Sequence, residues 1–115
     1  MKAWREKALL NKYPKIFPPG EFFIQIETGD GWYKIIDDLC GEIQALSDKT
    51  GHQVVAFQVK EKFGSLRFYT SASSIEIMDI ISGAEHLSEN TCEDCGEPGE
   101  IRDGSWLRTL CEAHK

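Results

Sequence analysis

Apolar residues at Trp32, Ile35, Ile36, Leu39, Cys40, Ile43 and Leu46 recur at helical offsets, while Lys34, Asp37, Asp38, Gln44 and Asp48 fill the positions between them. This spacing predicts an amphipathic helix that turns one stripe toward a core. Thr28-Gly29-Asp30-Gly31 makes the preceding turn, with Asp30 as the expected N-cap, and Thr50-Gly51 supplies a left-handed stop. A second helix is expected to open at a Ser73-Ser74-Ile75-Glu76 capping box and to bury Ile77, Ile80, Ile81, Ala84 and Leu87. Between the helices, Gln53 to Lys60 and Leu66 to Thr70 are rich in β-branched and aromatic residues, and the short Gly-containing stretch Glu61 to Ser65 joins them as a β-hairpin.

Nearer the start, Phe22, Ile24 and Ile26 alternate with Phe23, Gln25 and Glu27, which predicts a strand over 21–27. Trp4, Ala8 and Tyr13 lie at loosely helical spacing before Tyr13-Pro14 and Phe17-Pro18-Pro19-Gly20 end any helix. The resulting order, α, β, α, β, β, α, predicts an α+β fold. A small antiparallel sheet of about three strands would pack with two main helices in a core domain over 1–90 that carries the basic N-terminal helix or arm. Residues 91–115 would form a separate zinc-binding module.

That second unit rests on the cysteines. Cys92-Glu93-Asp94-Cys95 and Cys111-Glu112-Ala113-His114 are separated by fifteen residues, giving C-x2-C-x15-C-x2-H. A C-x2-C knuckle brings two thiolates to one ion, and Gly96 relieves the tight turn behind it. Cys92, Cys95, Cys111 and His114 are therefore the expected ligands of one zinc ion. Asp103-Gly104 is expected to turn a hairpin between the pairs, and a one-turn helix after Cys111 would complete a treble-clef-like or zinc-ribbon module. Four protein ligands leave no open position for water, so such a zinc is structural. Cys40, on the apolar stripe of the long helix, is expected in the core.

Charge narrows the function. The chain of 115 residues has a net charge of −6. Residues 1–20 hold five basic groups against Glu6, leaving eight basic and eighteen acidic side chains in the rest. An acidic body disfavours direct nucleic-acid binding, and the zinc segment itself is acidic, unlike a DNA-reading finger. The longest apolar run, Val54 to Phe57, is far too short to cross a bilayer, so no membrane association is expected and the protein is placed in the cytoplasm.

No phosphate loop, nucleophile elbow or spaced carboxylate pair occurs, and His52 and His86 lack a nucleophile partner, so no catalytic residue is assigned and an enzyme is not expected. Gln58-x-Lys60 on a strand invites comparison with metal-dependent nucleases and supplies one alternative. A zinc-bearing regulator that touches nucleic acid through the basic N-terminal arm is another. The densest mixture of charge and aromatics lies in Phe57 to Tyr69, so Lys60, Glu61, Lys62, Phe63 and Arg67, together with Trp106, are the candidate partner contacts.

Three stretches together resemble a group of small uncharacterised proteins of bacteriophages and prophages: Gly29-Asp30-Gly31-Trp32 with its helix to Cys40, Gln58 to Tyr69, and the pattern from Cys92 to His114. The resemblance covers roughly Gly29 to His114. It implies an accessory protein acting inside a bacterial host and no defined activity. The expectation that follows is a non-catalytic protein with structural zinc that binds and modulates or inhibits a host or antiviral-defence protein complex, with homodimer formation left open.

Overall fold

The computed structural model describes residues 1–20, 25–71 and 74–115. Helix α1 (Ala3–Lys12) is followed by the short strand β1 (Ile26–Glu27), a 3-10 turn (Asp30–Trp32) and the long helix α2 (Tyr33–Thr50). The hairpin β2 (Ala56–Lys62) and β3 (Ser65–Thr70) leads to α3 (Ile75–Ser88), and β4 (Glu100–Arg102) with β5 (Arg108–Leu110) forms a separate two-stranded sheet. The fold is α+β. Residues 21–24 and Ser73 lie outside the described residues, and with them most of the expected 21–27 strand and the first capping-box serine.

The main sheet has the order β1-β2-β3 and is mixed where an antiparallel one was expected: β1 runs parallel to β2, with Ile26 opposite Val59. A parallel neighbour requires a crossover, and α2 is that crossover. On β2 and β3 the alternation buries Val59, Leu66 and Phe68 in one cluster with Ile36, Leu39, Cys40 and Ile43 of α2 and Ile77 and Ile81 of α3. The backbone N–H groups of Leu66 and Phe68, which face away from β2, donate to Ser88 Oγ (2.9 Å) and Glu85 Oε2 (3.0 Å) of α3. The helix thus covers an edge that would otherwise invite another strand.

Several local expectations shift. Asp30 does not cap α2; its Oδ1 accepts the Lys2 backbone N–H (2.8 Å), and the turn ahead of α2 closes as a 3-10 turn instead. The cap of α3 is Ser74, whose Oγ accepts the Ile77 N–H (3.2 Å). Leu87 is 54% exposed, because at the end of α3 it is the next residue, Ser88, that turns onto β3 and is buried there. In α1, Leu9 is the buried residue, while Trp4 stands in solvent with the Arg5 guanidinium stacked 4.9 Å above its ring. Tyr13 ties α1 to α2: its hydroxyl donates to the Asp37 carbonyl (2.9 Å) and lies 2.5 Å from Asp37 Oδ1, which also meets Lys12 Nζ at 3.0 Å. Cys40 is fully buried, and burial pushes its thiol up to about 12.

Candidate metal centre

Two knuckles build the centre. In the first, the Gly96 N–H donates to the Cys92 carbonyl (2.9 Å) and the Cys92 N–H to the Glu97 carbonyl (2.7 Å), with Gly96 at φ +85°. The turn needs that left-handed residue, which only Gly adopts without strain. In the second, the His114 N–H donates to the Cys111 carbonyl (3.2 Å) as the chain turns once after β5. The β4–β5 ladder, with Arg102 opposite Arg108, holds the two knuckles face to face. Its connection is the five-residue loop 103–107 and not the tight Asp103-Gly104 turn the sequence suggested.

The donor atoms of Cys92, Cys95, Cys111 and His114 all lie within 4.8 Å of one another. Cys95 Sγ is 3.7 Å from Cys111 Sγ, and His114 Nδ1 is 3.8 Å from Cys92 Sγ and 3.1 Å from Cys111 Sγ. Metal–sulfur bonds of about 2.3 Å in a tetrahedron place sulfurs about 3.8 Å apart, so the set fits one tetrahedral ion bound through three sulfurs and Nδ1. Among the described residues this is the one grouping of His, Cys, Asp and Glu with metal-binding proximity.

The surroundings favour thiolate at Cys92 and Cys111 and oppose it at Cys95. Burial raises the Cys92 thiol, yet the backbone N–H groups of Cys111, Cys95 and Asp94 outweigh it and bring the group down to about 6. The His114 ring lowers Cys111 and is itself raised by that sulfur. Cys95 receives the Glu97 N–H but is lifted to about 11 by burial and by its two sulfur neighbours. Three thiols this close cannot all ionise without a cation among them.

The sequence reading missed what seats this centre. Glu93, inside the first knuckle, is only 5% exposed. Its carboxylate accepts the Gly29 N–H (2.8 Å), and its carbonyl accepts the Gly31 N–H (2.7 Å). Trp32 Nε1–H donates to the Thr91 carbonyl (2.9 Å). A β-carbon on Gly31 would stand 2.1 Å from the Cys92 carbonyl oxygen, and one on Gly29 would stand 2.3 Å from that of Glu93. The two glycines are what allow backbone to lie on backbone here, and a Gly-x-Gly just ahead of a tryptophan was the available signal. On the other side, Thr109 Oγ1 donates to the Gly64 carbonyl at 2.5 Å and clamps the module to the hairpin tip.

Both arginines of the module are engaged within it. Arg108 meets Asp94 (2.8 Å) and Glu93 (3.5 Å), and Arg102 meets Glu100 (2.8 Å) and Glu112 (3.5 Å). The basic start of the chain is also partly spent, since Lys2 pairs with Asp30, Lys12 with Asp37, and Arg5 lies between Trp4 and Tyr33.

Of the expected contact residues, Glu61, Lys62, Phe63 and Trp106 come together, with Ser105 and Leu107, around a cleft of ≈ 450 Å³. Phe63 and Trp106 are 67% and 74% exposed. Phe63 and Gly64 form a two-residue turn, Lys62 pairing with Ser65, and both have positive φ (+54° and +82°). Such a turn favours Asn-Gly or Gly-Gly, so a phenylalanine there is strained. Lys60 and Arg67 stand apart from the cleft, opposite each other on β2 and β3, and the same register places Gln58 opposite Tyr69 and Glu27 opposite Lys60.

The fold and site together define an α+β protein whose C-terminal Cys3His module is seated on a Gly-x-Gly turn. Comparison with models of known protein families, with curated proteins and with solved structures gave no match. Among the described residues no helix is long and apolar enough to cross a membrane.

Proposed function

We propose that the chain is a non-catalytic binding protein whose Cys92, Cys95, Cys111 and His114 hold a structural zinc ion, and whose partner is a protein recognised at the cleft between the hairpin tip and the β4–β5 loop. The supporting observation is the pair Phe63 and Trp106, two large apolar side chains left in solvent on either side of one cleft. Phe63 carries strain there as well, and its exposed ring meets only the Lys62 ammonium, 5.6 Å from its centre. Aromatic side chains of this kind are typical anchors of protein interfaces.

Zinc fits the donor set, since three sulfurs and one imidazole in a tetrahedron with no open position suit a structural zinc and leave no place for substrate. Its role is then geometric: by fixing β4 and β5 it fixes the loop that carries Trp106. The resemblance to phage proteins points to a component of the bacterial host or of a defence complex as the partner.

Elemental analysis of protein purified under reducing conditions is expected to give one zinc per chain. For the partner, tagged wild type and a Phe63→Asn, Trp106→Ser double variant are compared in capture from bacterial lysate, and any enriched protein is purified and rebound. The expected result is direct binding by wild type that the double variant loses while keeping its zinc and melting no lower than wild type. Equal rebinding by the double variant would remove the cleft from the function.

A further inference from the structure

The acidic excess of the chain is not shared by every face. Lys2, Lys12, Lys34, Arg102, Arg108 and Lys115 each face a carboxylate within ion-pair distance. On the hairpin, Lys60, Lys62 and Arg67 have no such partner among the described residues. Lys60 and Arg67 are directly opposed across the ladder, an arrangement that works against the hairpin unless an anion lies over it. Arg67 is also held in place, with Nη1 donating to Ser65 Oγ (2.9 Å) and the Leu66 carbonyl (3.2 Å), which leaves its remaining N–H groups unspent.

Exposed rings share this face. The register slips between Ala56 and Gln58, so that Phe57 and Gln58 together oppose one residue on β3 and both stand in solvent between the buried Ala56 and Val59. Such a bulge re-aims a side chain, and here it leaves Phe57 60% exposed near Tyr69, which is 43% exposed and pairs with Gln58. The opposite face of the same strands is the core. Glu27, in register with Lys60, bounds the surface at the β1 edge.

We propose that this open face of the β2–β3 hairpin binds single-stranded nucleic acid, with phosphates on Lys60, Lys62 and Arg67 and bases stacked on Phe57 and Tyr69. Three cations with no ion-pair partner among the described residues select a polyanion, and flat exposed rings beside them select one whose charged groups alternate with planar faces. A single strand offers both, whereas a duplex hides its base faces and an acidic peptide has none. Seven residues of β2 span about 23 Å at about 3.3 Å per residue, room for a short run of nucleotides. The surface adjoins the Phe63–Trp106 cleft, with Lys62 bordering both, but it stands independently of the protein-binding reading, since neither Phe57 nor Tyr69 lines that cleft.

The test is fluorescence anisotropy of a labelled oligodeoxythymidine and an oligouridine with zinc-loaded protein, against a duplex of equal length and a labelled polyglutamate peptide. Wild type is expected to bind both single strands at low salt with a log K against log salt slope of about −2, the value for about three phosphates on a single strand. Lys60→Gln with Arg67→Gln should flatten that slope. Phe57→Ala and Tyr69→Ala should each weaken single-strand binding about tenfold and leave the slope unchanged. All four positions are at least partly exposed, and an unchanged melt and zinc content confirm folding. No anisotropy rise up to about 100 µM protein, the weak end of non-specific binding, would overturn the proposal. Equal affinity for the duplex would overturn the stacking role, and polyglutamate bound as tightly through the same residues would show an acidic protein surface to be the occupant. Loss of oligonucleotide binding leaves the capture experiment at Phe63 and Trp106 untouched, so the two readings fail separately.

Discussion

Phe63 illustrates how a single residue can be kept against the interest of its own fold. A left-handed backbone costs an L-residue about 1–2 kcal/mol, less for Asn, and the exposed ring recovers little of that by burial. Phe63→Asn is therefore expected to stabilise the protein by about 1 kcal/mol, seen as a rise of several degrees in the melt, while weakening partner capture. Glycines divide in the opposite way according to what lies beside them. A methyl at Gly31 meets the Cys92 carbonyl at 2.1 Å, backbone that cannot yield without moving the knuckle, whereas one at Gly83 on α3 meets nothing within 4 Å. Gly31→Ala should lose about 3 kcal/mol or more, and Gly83→Ala should gain up to about 1 kcal/mol from helix propensity. Paired thermal melts check both signs at once.

At the scale of elements, α2 was legible because its stripe repeats over fifteen residues, and Trp32, Ile35, Ile36, Leu39, Cys40 and Ile43 are all buried as that period requires. Leu87 fits the same arithmetic on α3 but stands in solvent while its neighbour Ser88 meets β3, and periodicity cannot say which residue of a helix's last turn a neighbouring element will cover. Strand direction was equally invisible, since alternation in β1 is the same whether its neighbour runs with it or against it. The clustering of Cys92, Cys95, Cys111 and His114 was legible from spacing alone. Their seat was not, because Gly29 and Glu93 are 64 positions apart and nothing local marks one for the other. The α1–α2 tie also sets a pH window. Burial would raise Asp37, but the Tyr13 hydroxyl and Lys12 ammonium outweigh it and hold the carboxyl below its ordinary value. Its stabilising share is thus full above the unfolded value of 3.8 and lost as pH falls through the lower folded value. Tyr13, pushed up to about 12 by burial and by Asp37, gives the mirror case: stability falls as pH rises from the unfolded value of 10.0 through the folded one. Asp37→Asn should lower the melt at neutral pH and flatten both limbs of the melting temperature against pH.

The whole molecule has a radius of gyration of 14.1 Å and a longest dimension of 43 Å. A compact chain of this length would give about 13 Å, so the molecule is somewhat elongated. The metal module's own buried cluster is only Cys92, Leu110 and Cys111, so besides its hydrogen bonds to the 29–32 turn and Gly64 a bound ion would supply much of the ordering energy, about 10–16 kcal/mol in zinc-finger peptides. Removing the ion with a chelator under reducing conditions should leave α2 and the hairpin in a cooperative but lower melt. It should also release the Gly29–Trp32 turn, read as faster amide exchange at Gly29 and Gly31 and a red-shifted Trp32 emission. An unchanged Trp32 signal would show that the turn holds without the module. The seat under the knuckle also bears on the order in which the chain is made. Residues 29–32 emerge from a ribosome some sixty positions ahead of the Thr91 and Glu93 groups that satisfy them, so a nascent chain carries a helix start with unpaired amides and an uncovered indole until those later residues are out. The helix that looks most complete in the sequence thus waits on residues made some sixty positions later for its start to be finished.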